Sequence, residues 1–319
     1  MADTAWFRDA KWGVFCHYLG SPPSSDGGKE LTAEAWNAQI DAFDVDALVR
    51  QLVAVRAPYF FITIGQNSGH FLAPNHTYDR LTGITPSKCS KRDLVKDLYE
   101  SLELHGIRLM VYLPSGAPAA DPQACDKLEW EWGLQDGWPN WSGGRTGKRL
   151  VNFQRHWEAV IREWSLRWGG HVHGWWIDGC YFADEMYRHD EEPNFASFAA
   201  AMKAGNPHAI VAFNPGVGVP LVCHSEHEDY TAGEIADTLP AGVSLPQRWI
   251  MRGEHRAQLH VLSYLGATWC GEGRPRFPDA LVAGYTRHIN DHEGVVTWDV
   301  PITKAGTIPQ AFLDQLAAL

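Results

Sequence analysis

The sequence is poor in basic residues and has no basic run. Its 319 residues include 27 lysines and arginines against 38 aspartates and glutamates, which gives a formal net charge of −11. Basic residues adjoin only in pairs such as Lys91-Arg92. Proteins that follow a nucleic-acid backbone need clustered lysines and arginines, so we expect no nucleic-acid partner.

Long apolar runs are missing as well. No stretch reaches the ~18 consecutive apolar residues that identify a membrane-spanning helix. The N-terminus also lacks the basic segment followed by an apolar segment that marks a secretory signal. From these patterns we expect a cytoplasmic location and no membrane partner, and the sequence gives no expectation about oligomeric state.

Cofactor and metal motifs are absent too. The six cysteines are dispersed without a CxxC pair, so a structural zinc site is not expected. The sequence contains no GxSxG, Walker A or GxGxxG motif, which removes the main support for a serine hydrolase, a P-loop or a dinucleotide site. We therefore expect no cofactor.

Short apolar runs bounded by turn residues alternate with helical patterns, which is typical of a βα series with a parallel sheet. Eight such strands close most simply into one (β/α)8 TIM-like barrel domain over residues 1–319, distorted around the sixth and seventh strands. The strands are predicted at 13–17, 59–64, 107–112, 174–177, 210–214, 221–225, within 249–269 and at 295–300. Helices are predicted at 44–55, 93–104, 153–168, 195–203, 278–291 and 309–316.

Tryptophan is in excess, with 15 residues. Indoles either fill a core or present flat faces to a ligand. We assign Trp12, Trp168 and Trp175 to structural packing and interpret the surplus mainly as the wall of a pocket. That surplus comprises Trp176, Trp269 and four tryptophans (Trp130, Trp132, Trp138, Trp141) of an insertion at about 114–148, although the last four can also serve to pin their loop onto the barrel.

The fourth predicted strand ends in a carboxylate. Asp178 follows the apolar run 174–177 and precedes Gly179, which places it at the carboxyl end of a barrel strand, where active sites form. Trp176 shares its face, and an indole beside a carboxylate suits a sugar ring and its anomeric carbon. An aspartate in this place can instead cap a helix.

Neutral polar residues follow other strands and suit sugar hydroxyls, which both donate and accept hydrogen bonds. Structural interpretations stay open for them, as a barrel histidine or as ordinary loop residues. These candidates are His17, Tyr18, Gln66, Asn67, Tyr112 and Asn214.

The run 224–229 is rich in histidine and carboxylates and raises a metal hypothesis. Strand alternation would place His224, Glu226 and Glu228 on one side. A solvated loop or a set of substrate contacts explains the run more simply, so we expect no metal.

Several segments resemble the catalytic barrel of the glycoside hydrolase family 29 α-L-fucosidases. They occur in the family's order and are spread along nearly the whole chain. They are Trp6–His17, Phe43–Leu52, Arg92–Leu98, Trp175–Gly179, Gly294–Pro301 and Gly306–Ile308. The resemblance implies a retaining exo-glycosidase with a distorted barrel that cleaves a terminal neutral sugar. The β-sandwich that often follows this barrel is not expected, because the sequence ends at Leu319.

By position, the resemblance implies that Asp178 is the nucleophile, that His17 binds the sugar, and that Tyr112 and Trp176 are the aromatic residues beside it. The sequence departs from the family at two points. Residues 66–71 replace the His-His-Asp-Gly-Phe motif that grips the sugar, and the sequence at 249–250 replaces the Trp-Glu that carries the acid/base.

A retaining mechanism needs a second carboxyl group that donates a proton and therefore has a raised pKa. We rank Glu254 and Glu272 equally as candidates, and Glu234, which matches a less directly catalytic glutamate of the family, behind them. Two alternatives remain: a sugar-binding pseudoenzyme with no carboxyl group near Asp178, and a metal-dependent barrel hydrolase that uses the 224–228 residues.

Overall fold

The structure is a computed structural model that describes residues 2–20, 31–131, 148–236, 238–240, 247–271 and 273–319, and the backbone of residues 134–135 and 138–139. The strands are β1 (Trp12–Cys16), β2 (Tyr59–Thr63), β3 (Arg108–Pro114), β4 (Leu134–Gln135), β5 (Trp138–Pro139), β6 (Val172–Asp178), β7 (Ile210–Phe213), β8 (Trp249–Arg252), β9 (His255–Gln258), β10 (His260–Tyr264) and β11 (Val295–Asp299).

Seven of these strands form one curled sheet in the order β10-β11-β1-β2-β3-β6-β7. Every pairing within it is parallel, so the carboxyl ends of all seven strands meet at one edge. With helices between the strands, this is an α/β fold of the TIM-like kind.

The gap between β7 and β10 is bridged by an irregular segment, 229–235. The Asp229 amide donates to the Val211 carbonyl of β7 at 2.8 Å, and the Ile235 amide donates to the Leu262 carbonyl of β10 at 3.0 Å. The prediction of a sixth strand at 221–225 is wrong, because these residues form no strand. The expected irregularity lies here, and within the described residues the curled sheet has no eighth regular strand.

The helices are α1 (Ala5–Ala10), α2 (Ala33–Asp41), α3 (Val45–Ala54), α4 (His76–Thr82), α5 (Leu94–Glu103), α6 (Pro122–Leu128), α7 (Val151–Trp168), α8 (Ala183–Met186), α9 (Phe195–Met202), α10 (Asp279–Asp291) and α11 (Gln310–Leu316). The six predicted helices are confirmed to within two residues at each end. The side chains of Asp44, Asp93 and Asn194 cap α3, α5 and α9 by accepting from a backbone amide three residues on. Within the described ranges, no helix is long and apolar enough to cross a membrane.

Alternate residues of each strand face the helices or the inside of the curled sheet. On β1, Val14 and Cys16 pack toward the helices, whereas Phe15 packs inside. The amino end of the interior is filled by Phe7 of α1, whose ring lies 5.2 Å from that of Tyr59. The carboxyl end is therefore the side left open for a ligand.

Most of the described tryptophans belong to the core between sheet and helices. Those with almost no exposed surface are Trp36, Trp157, Trp164, Trp168, Trp175 and Trp298. Trp130 packs with its ring 4.5 Å from that of Phe153 on α7. The side chains of Trp132, Trp138 and Trp141 lie outside the described residues. Packing is confirmed for Trp12, Trp168 and Trp175. Of the tryptophans interpreted as a pocket wall, Trp176 and Trp269 line a cavity, whereas Trp130 packs on α7.

One glycine fixes the bridging segment against β10. A Cβ atom at Gly233, whose φ is +67°, would lie 1.9 Å from the His260 carbonyl oxygen. Because this neighbour is backbone, it cannot turn aside. We expect Gly233→Ala to lower the free energy of unfolding by more than about 2 kcal/mol in chemical denaturation.

Gly253 provides the matched control for that substitution. Its φ is +58°, but nothing lies within 4 Å of an added Cβ. Gly253→Ala therefore pays only the left-handed backbone cost of about 1 kcal/mol. Equal losses in the two variants would mean that the approach to His260 does not matter.

Candidate active site

A cavity of about 300 Å³ opens at the carboxyl ends of the strands. Its lining combines aromatic faces with a small number of polar groups, which is typical of small-molecule sites. The lining residues are Phe15, His17, Gln66, Tyr112, Trp176, Asp178, Glu234, Leu262, Thr268, Trp269 and Cys270. The structure thus brings together seven of the residues singled out from the sequence.

Asp178 is the last residue of β6 and is held from several sides. Its Oδ2 accepts from the Tyr112 hydroxyl at 2.6 Å, and its Oδ1 accepts from the Asn214 amide at 2.9 Å and from the Tyr181 hydroxyl at 3.3 Å. These contacts come from β3, from the end of β7 and from the turn after β6. The carboxylate is therefore oriented before any ligand binds.

Tyr112 is the donor on one side of that carboxylate. Burial and the adjacent Asp178 raise the pKa of its hydroxyl well above the usual value, so the phenol keeps its proton and donates. It in turn accepts from the Gln66 side-chain amide at 2.8 Å. Its ring stacks on that of Trp176, with centroids 5.3 Å apart and an interplanar angle of 17°.

Asn214 joins two carboxyl groups. Its side-chain nitrogen donates to Asp178 Oδ1 at 2.9 Å and to Glu234 Oε2 at 2.6 Å. The two oxygens are therefore no farther apart than the sum of these bonds, 5.5 Å. Asn214 is fully buried, and its backbone amide donates to the Ile177 carbonyl at 2.8 Å.

Glu234 has the protonation behaviour of a proton donor. Burial and the negative charge of Asp178 raise its pKa to about 7, against the opposing effects of the Asn214 hydrogen bond and of His17. Its backbone lies on the bridging segment and pairs with Leu262 of β10. The carboxyl group can therefore hold its proton near neutral pH in a partly closed site.

His17 sits at the end of β1 and is fixed by Asp299, the last residue of β11. Its Nδ1 lies 2.7 Å from Asp299 Oδ1. Burial by itself lowers the pKa of this imidazole, but the neighbouring Cys270 and Asp299 raise it well above its ordinary value. Asp299 Oδ2 also accepts from the Cys270 backbone amide at 2.9 Å.

Three predicted site residues lie away from the cavity. Tyr18 is buried toward α2, with its hydroxyl 2.7 Å from the Lys304 carbonyl oxygen. Asn67 holds a loop through its carbonyl, which accepts from the Ala120 amide at 2.9 Å. Glu254 is exposed in the turn between β8 and β9, a hairpin that precedes β10 and so lies at the amino end of the sheet.

Glu272 lies outside the described residues. Of the two described glutamates considered as proton donors, Glu234 lies beside Asp178 and Glu254 does not, although Glu234 has the lower rank in the sequence analysis. The position of Glu254 comes from the hairpin turn, which sends the chain back after β8 and keeps Glu254 at the amino end of the sheet.

The residues of the metal hypothesis do not converge on a common point. His224 Nε2 lies 2.9 Å from the Cys180 carbonyl oxygen, Glu226 faces Arg252 at 3.5 Å, and Glu228 is buried and accepts from the His224 amide. Burial lowers the pKa of His224 to about 4 and raises that of Glu228 to about 8. Across the described ranges, no group of three histidines, cysteines or carboxylates is placed to hold a metal ion.

Asp299 and Cys270 were not among the candidates from the sequence. Asp299 ends an apolar strand in the way that Asp178 does, so the same signal was available for it. Cys270 follows Trp269 in a turn of the chain, and nothing in its sequence surroundings indicates that it lines the cavity.

No protein-family model matches the sequence, and no curated protein matches it. Solved structures are similar in fold. Endo-fucoidan hydrolase MfFcnA9 from glycoside hydrolase family 107 gives a TM-score of 0.72 at 17% identity, over 99% of this chain and 62% of that one. The chain thus spans about six tenths of that protein's length.

Two α-L-fucosidases are similar over more of their own length. AlfC from Lactobacillus casei gives a TM-score of 0.65 at 16% identity, over 99% of this chain and 96% of that one. Isoenzyme 1 from Paenibacillus thiaminolyticus gives 0.67 at 15% identity, over 98% and 73%. This chain has the fold of these glycoside hydrolases.

Proposed function

We propose that this protein is a retaining, exo-acting glycoside hydrolase of the α-L-fucosidase type, in which Asp178 is the nucleophile and Glu234 the acid/base. One observation carries the proposal: a single amide, that of Asn214, binds both carboxyl groups and keeps their oxygens within 5.5 Å. Retaining glycosidases place their two carboxyl groups about 5–5.5 Å apart, whereas inverting enzymes leave a wider gap for water.

The two groups have the protonation states that the mechanism needs. The proton on Glu234, whose pKa is raised to about 7, would pass to the leaving oxygen while Asp178 attacks the anomeric carbon. Ionised Glu234 would then take a proton from water, which attacks the glycosyl-enzyme and releases the sugar.

The rest of the lining suits a neutral sugar. Trp176, Trp269 and Tyr112 offer aromatic faces, and none of the described lining residues is a lysine or arginine. The cavity, at about 300 Å³, lies at the small end of ligand pockets, which favours one terminal ring. Phe15 and Leu262 give apolar surface for the methyl group of a 6-deoxy sugar.

The similarity in fold supports a fucose ring. AlfC is described in complex with α-L-fucose, and MfFcnA9 acts on fucoidan. The pseudoenzyme alternative predicted that no carboxyl group approaches Asp178, and the position of Glu234 speaks against it.

The test is a screen of 4-nitrophenyl α- and β-glycosides that includes L-fucose, L-galactose and D-arabinose. We expect release of 4-nitrophenol from the α-L-fucoside above the others, because the lining offers an apolar surface at the methyl position. Proton NMR of the first turnovers should show the sugar released as the α anomer. Release of the β anomer would contradict the retaining assignment, and binding of L-fucose without turnover of any glycoside would favour the pseudoenzyme.

A further inference from the structure

The two oxygens of Asp178 are bound by different numbers of donors. Among the described residues, Oδ1 accepts from Asn214 at 2.9 Å and from Tyr181 at 3.3 Å, whereas Oδ2 accepts only from the Tyr112 hydroxyl at 2.6 Å. A carboxylate has about four lone-pair sites, shared equally by its two oxygens. Both sites on Oδ1 are therefore engaged, and Oδ2 keeps a lone pair with which to attack an anomeric carbon.

The Tyr112 hydroxyl has a single proton, and the direction of that proton depends on Gln66. The Gln66 side-chain nitrogen donates to the Tyr112 oxygen at 2.8 Å. An ionised Asp178 only accepts, so the Tyr112 proton lies in the bond to Asp178 and the group that meets the Tyr112 oxygen from the other side must be a donor. This requirement fixes the orientation of the Gln66 amide, which presents its nitrogen and not its oxygen to the phenol.

The backbone places Gln66 where its side chain reaches Tyr112. Thr63, the last residue of β2, pairs with Tyr112 of β3, and Gln66 lies in the turn that follows the end of β2. The Gln66 carbonyl accepts from the Gly69 amide at 3.1 Å, and the φ of +76° at Gly69 closes this turn. The fold therefore holds the Gln66 amide beside the phenol before any ligand enters the cavity, which Gln66 also lines.

We propose that Gln66 is a positioning residue for the nucleophile: by donating to the Tyr112 oxygen, it directs the Tyr112 proton to Asp178 Oδ2. The role in turnover rests on the proposed function. When water attacks the glycosyl-enzyme, it gives a proton to ionised Glu234, the bond from the anomeric carbon to Oδ2 breaks, and its electron pair returns to the carboxylate. A donor aimed at Oδ2 stabilises this developing charge, and a donor to the phenol oxygen strengthens that bond.

The first test measures the release of the sugar from Asp178 separately from its attachment. With a 2,4-dinitrophenyl α-L-fucoside, whose leaving group departs readily, kcat reports release and kcat/KM reports attachment. At pH 8, Gln66→Met should lower kcat about fivefold, the effect of one hydrogen bond, and should lower KM with it. A merely structural disturbance would lower kcat/KM instead. Gln310→Met, at an exposed glutamine of α11, is the matched control and should leave both parameters unchanged.

Gln66→Glu tests the direction of the Tyr112 proton. Glutamate has the shape of glutamine but presents an acceptor when it is ionised, so it should draw the proton away from Asp178 and lower kcat further than Gln66→Met does. If only the size of the side chain matters, the order is reversed, and that result would overturn the proposal. Circular dichroism checks the fold, and Gln66→Glu still provides the test if Gln66→Met does not fold.

A double variant tests whether Gln66 acts through Tyr112. Tyr112→Phe removes the hydroxyl that Gln66 binds, so the addition of Gln66→Met to Tyr112→Phe should lower kcat by less than about twofold. Losses that add in full would overturn the proposal, because they would mean that Gln66 acts on the sugar directly.

A measurement without turnover distinguishes this inference from the proposed function. In protein labelled with 3-fluorotyrosine, the fluorine NMR resonance of Tyr112 is the one that Tyr112→Phe removes. We expect it to shift in Gln66→Met and in Gln66→Glu but not in Gln310→Met. An unshifted resonance in the Gln66 variants would overturn the proposal. A shifted resonance in a protein that hydrolyses no glycoside would support the hydrogen bonds from Gln66 to Asp178 and reject the proposed function.

Discussion

Asp178→Asn should lower kcat/KM for an aryl α-L-fucoside by at least about 10³-fold while leaving the fold intact, because it removes the group that attacks the sugar. Asparagine has the same shape, so the contacts from Asn214 and Tyr181 to the retained oxygen can persist. The measurement compares steady-state rates with wild type, alongside thermal melting.

A matched control and a chemical rescue make this test specific. Asp184 is an exposed aspartate that pairs with Arg188 on the next turn, and Asp184→Asn should leave the rate unchanged. In Asp178→Gly, azide can occupy the emptied position and attack the anomeric carbon from the same face. We expect a glycosyl azide of the opposite anomeric configuration. Retention of more than a tenth of wild-type turnover by Asp178→Asn would exclude the nucleophile assignment.

The sequence predicted those parts of the structure that short-range patterns specify. Apolar runs of four to seven residues give the strands of the curled sheet, and the acidic caps at Asp44 and Asp93 mark the starts of α3 and α5. Asp178 was found for the same reason, because a carboxylate that directly ends a buried strand of a parallel sheet lies at its carboxyl edge.

The parts that failed depend on contacts between distant residues. Residues 221–225 begin with a short apolar run, as a strand can. However, the backbone amide and carbonyl of His224 form hydrogen bonds with side chains. Glu228 accepts from the His224 and Phe213 amides, and Arg188 donates to the His224 carbonyl. A strand needs these backbone groups for its neighbours, so pairing passes to the segment 229–235.

Glu234 was ranked last for the same physical reason. Its place beside Asp178 follows from the pairing of the bridging segment with β10 and from the shared amide of Asn214. Neither interaction is visible in local periodicity. The tryptophans show a related limit, since composition gives their number but not which face of an element each one occupies.

Glu234→Gln gives the second large expected effect, and it depends on the leaving group. For an oligosaccharide, whose leaving oxygen needs a proton, we expect turnover to fall by about 10²–10⁴-fold. For a 2,4-dinitrophenyl glycoside the leaving group departs unprotonated, so the rate of glycosidic-bond cleavage should fall far less. The glycosyl-enzyme should then accumulate, which is seen as a burst of released dinitrophenolate. Glu254→Gln, in the exposed hairpin turn, is the matched control and should leave the turnover of both substrates unchanged.

The pH dependence follows from the raised pKa of Glu234, at about 7. The proton donor is present below that pH and is lost as the pH rises through it, so kcat/KM of wild type for an oligosaccharide should decline above pH 7. Glutamine cannot ionise, and the residual activity of Glu234→Gln should lack this decline.

The stability of the fold should depend on pH in the same direction as kcat/KM. The folded protein binds the Glu234 proton more tightly than the unfolded chain does, so this contribution is present below the unfolded pKa near 4.5 and is lost as the pH passes 7. The melting temperature of wild type should therefore drop more than that of Glu234→Gln between pH 5 and pH 8.

Two results for Glu234→Gln would together assign the acid/base to another carboxyl group. Glycosidic-bond cleavage would fall equally for the oligosaccharide and the 2,4-dinitrophenyl glycoside, and the residual activity would still decline above pH 7. Glu272 would then be the next residue to replace.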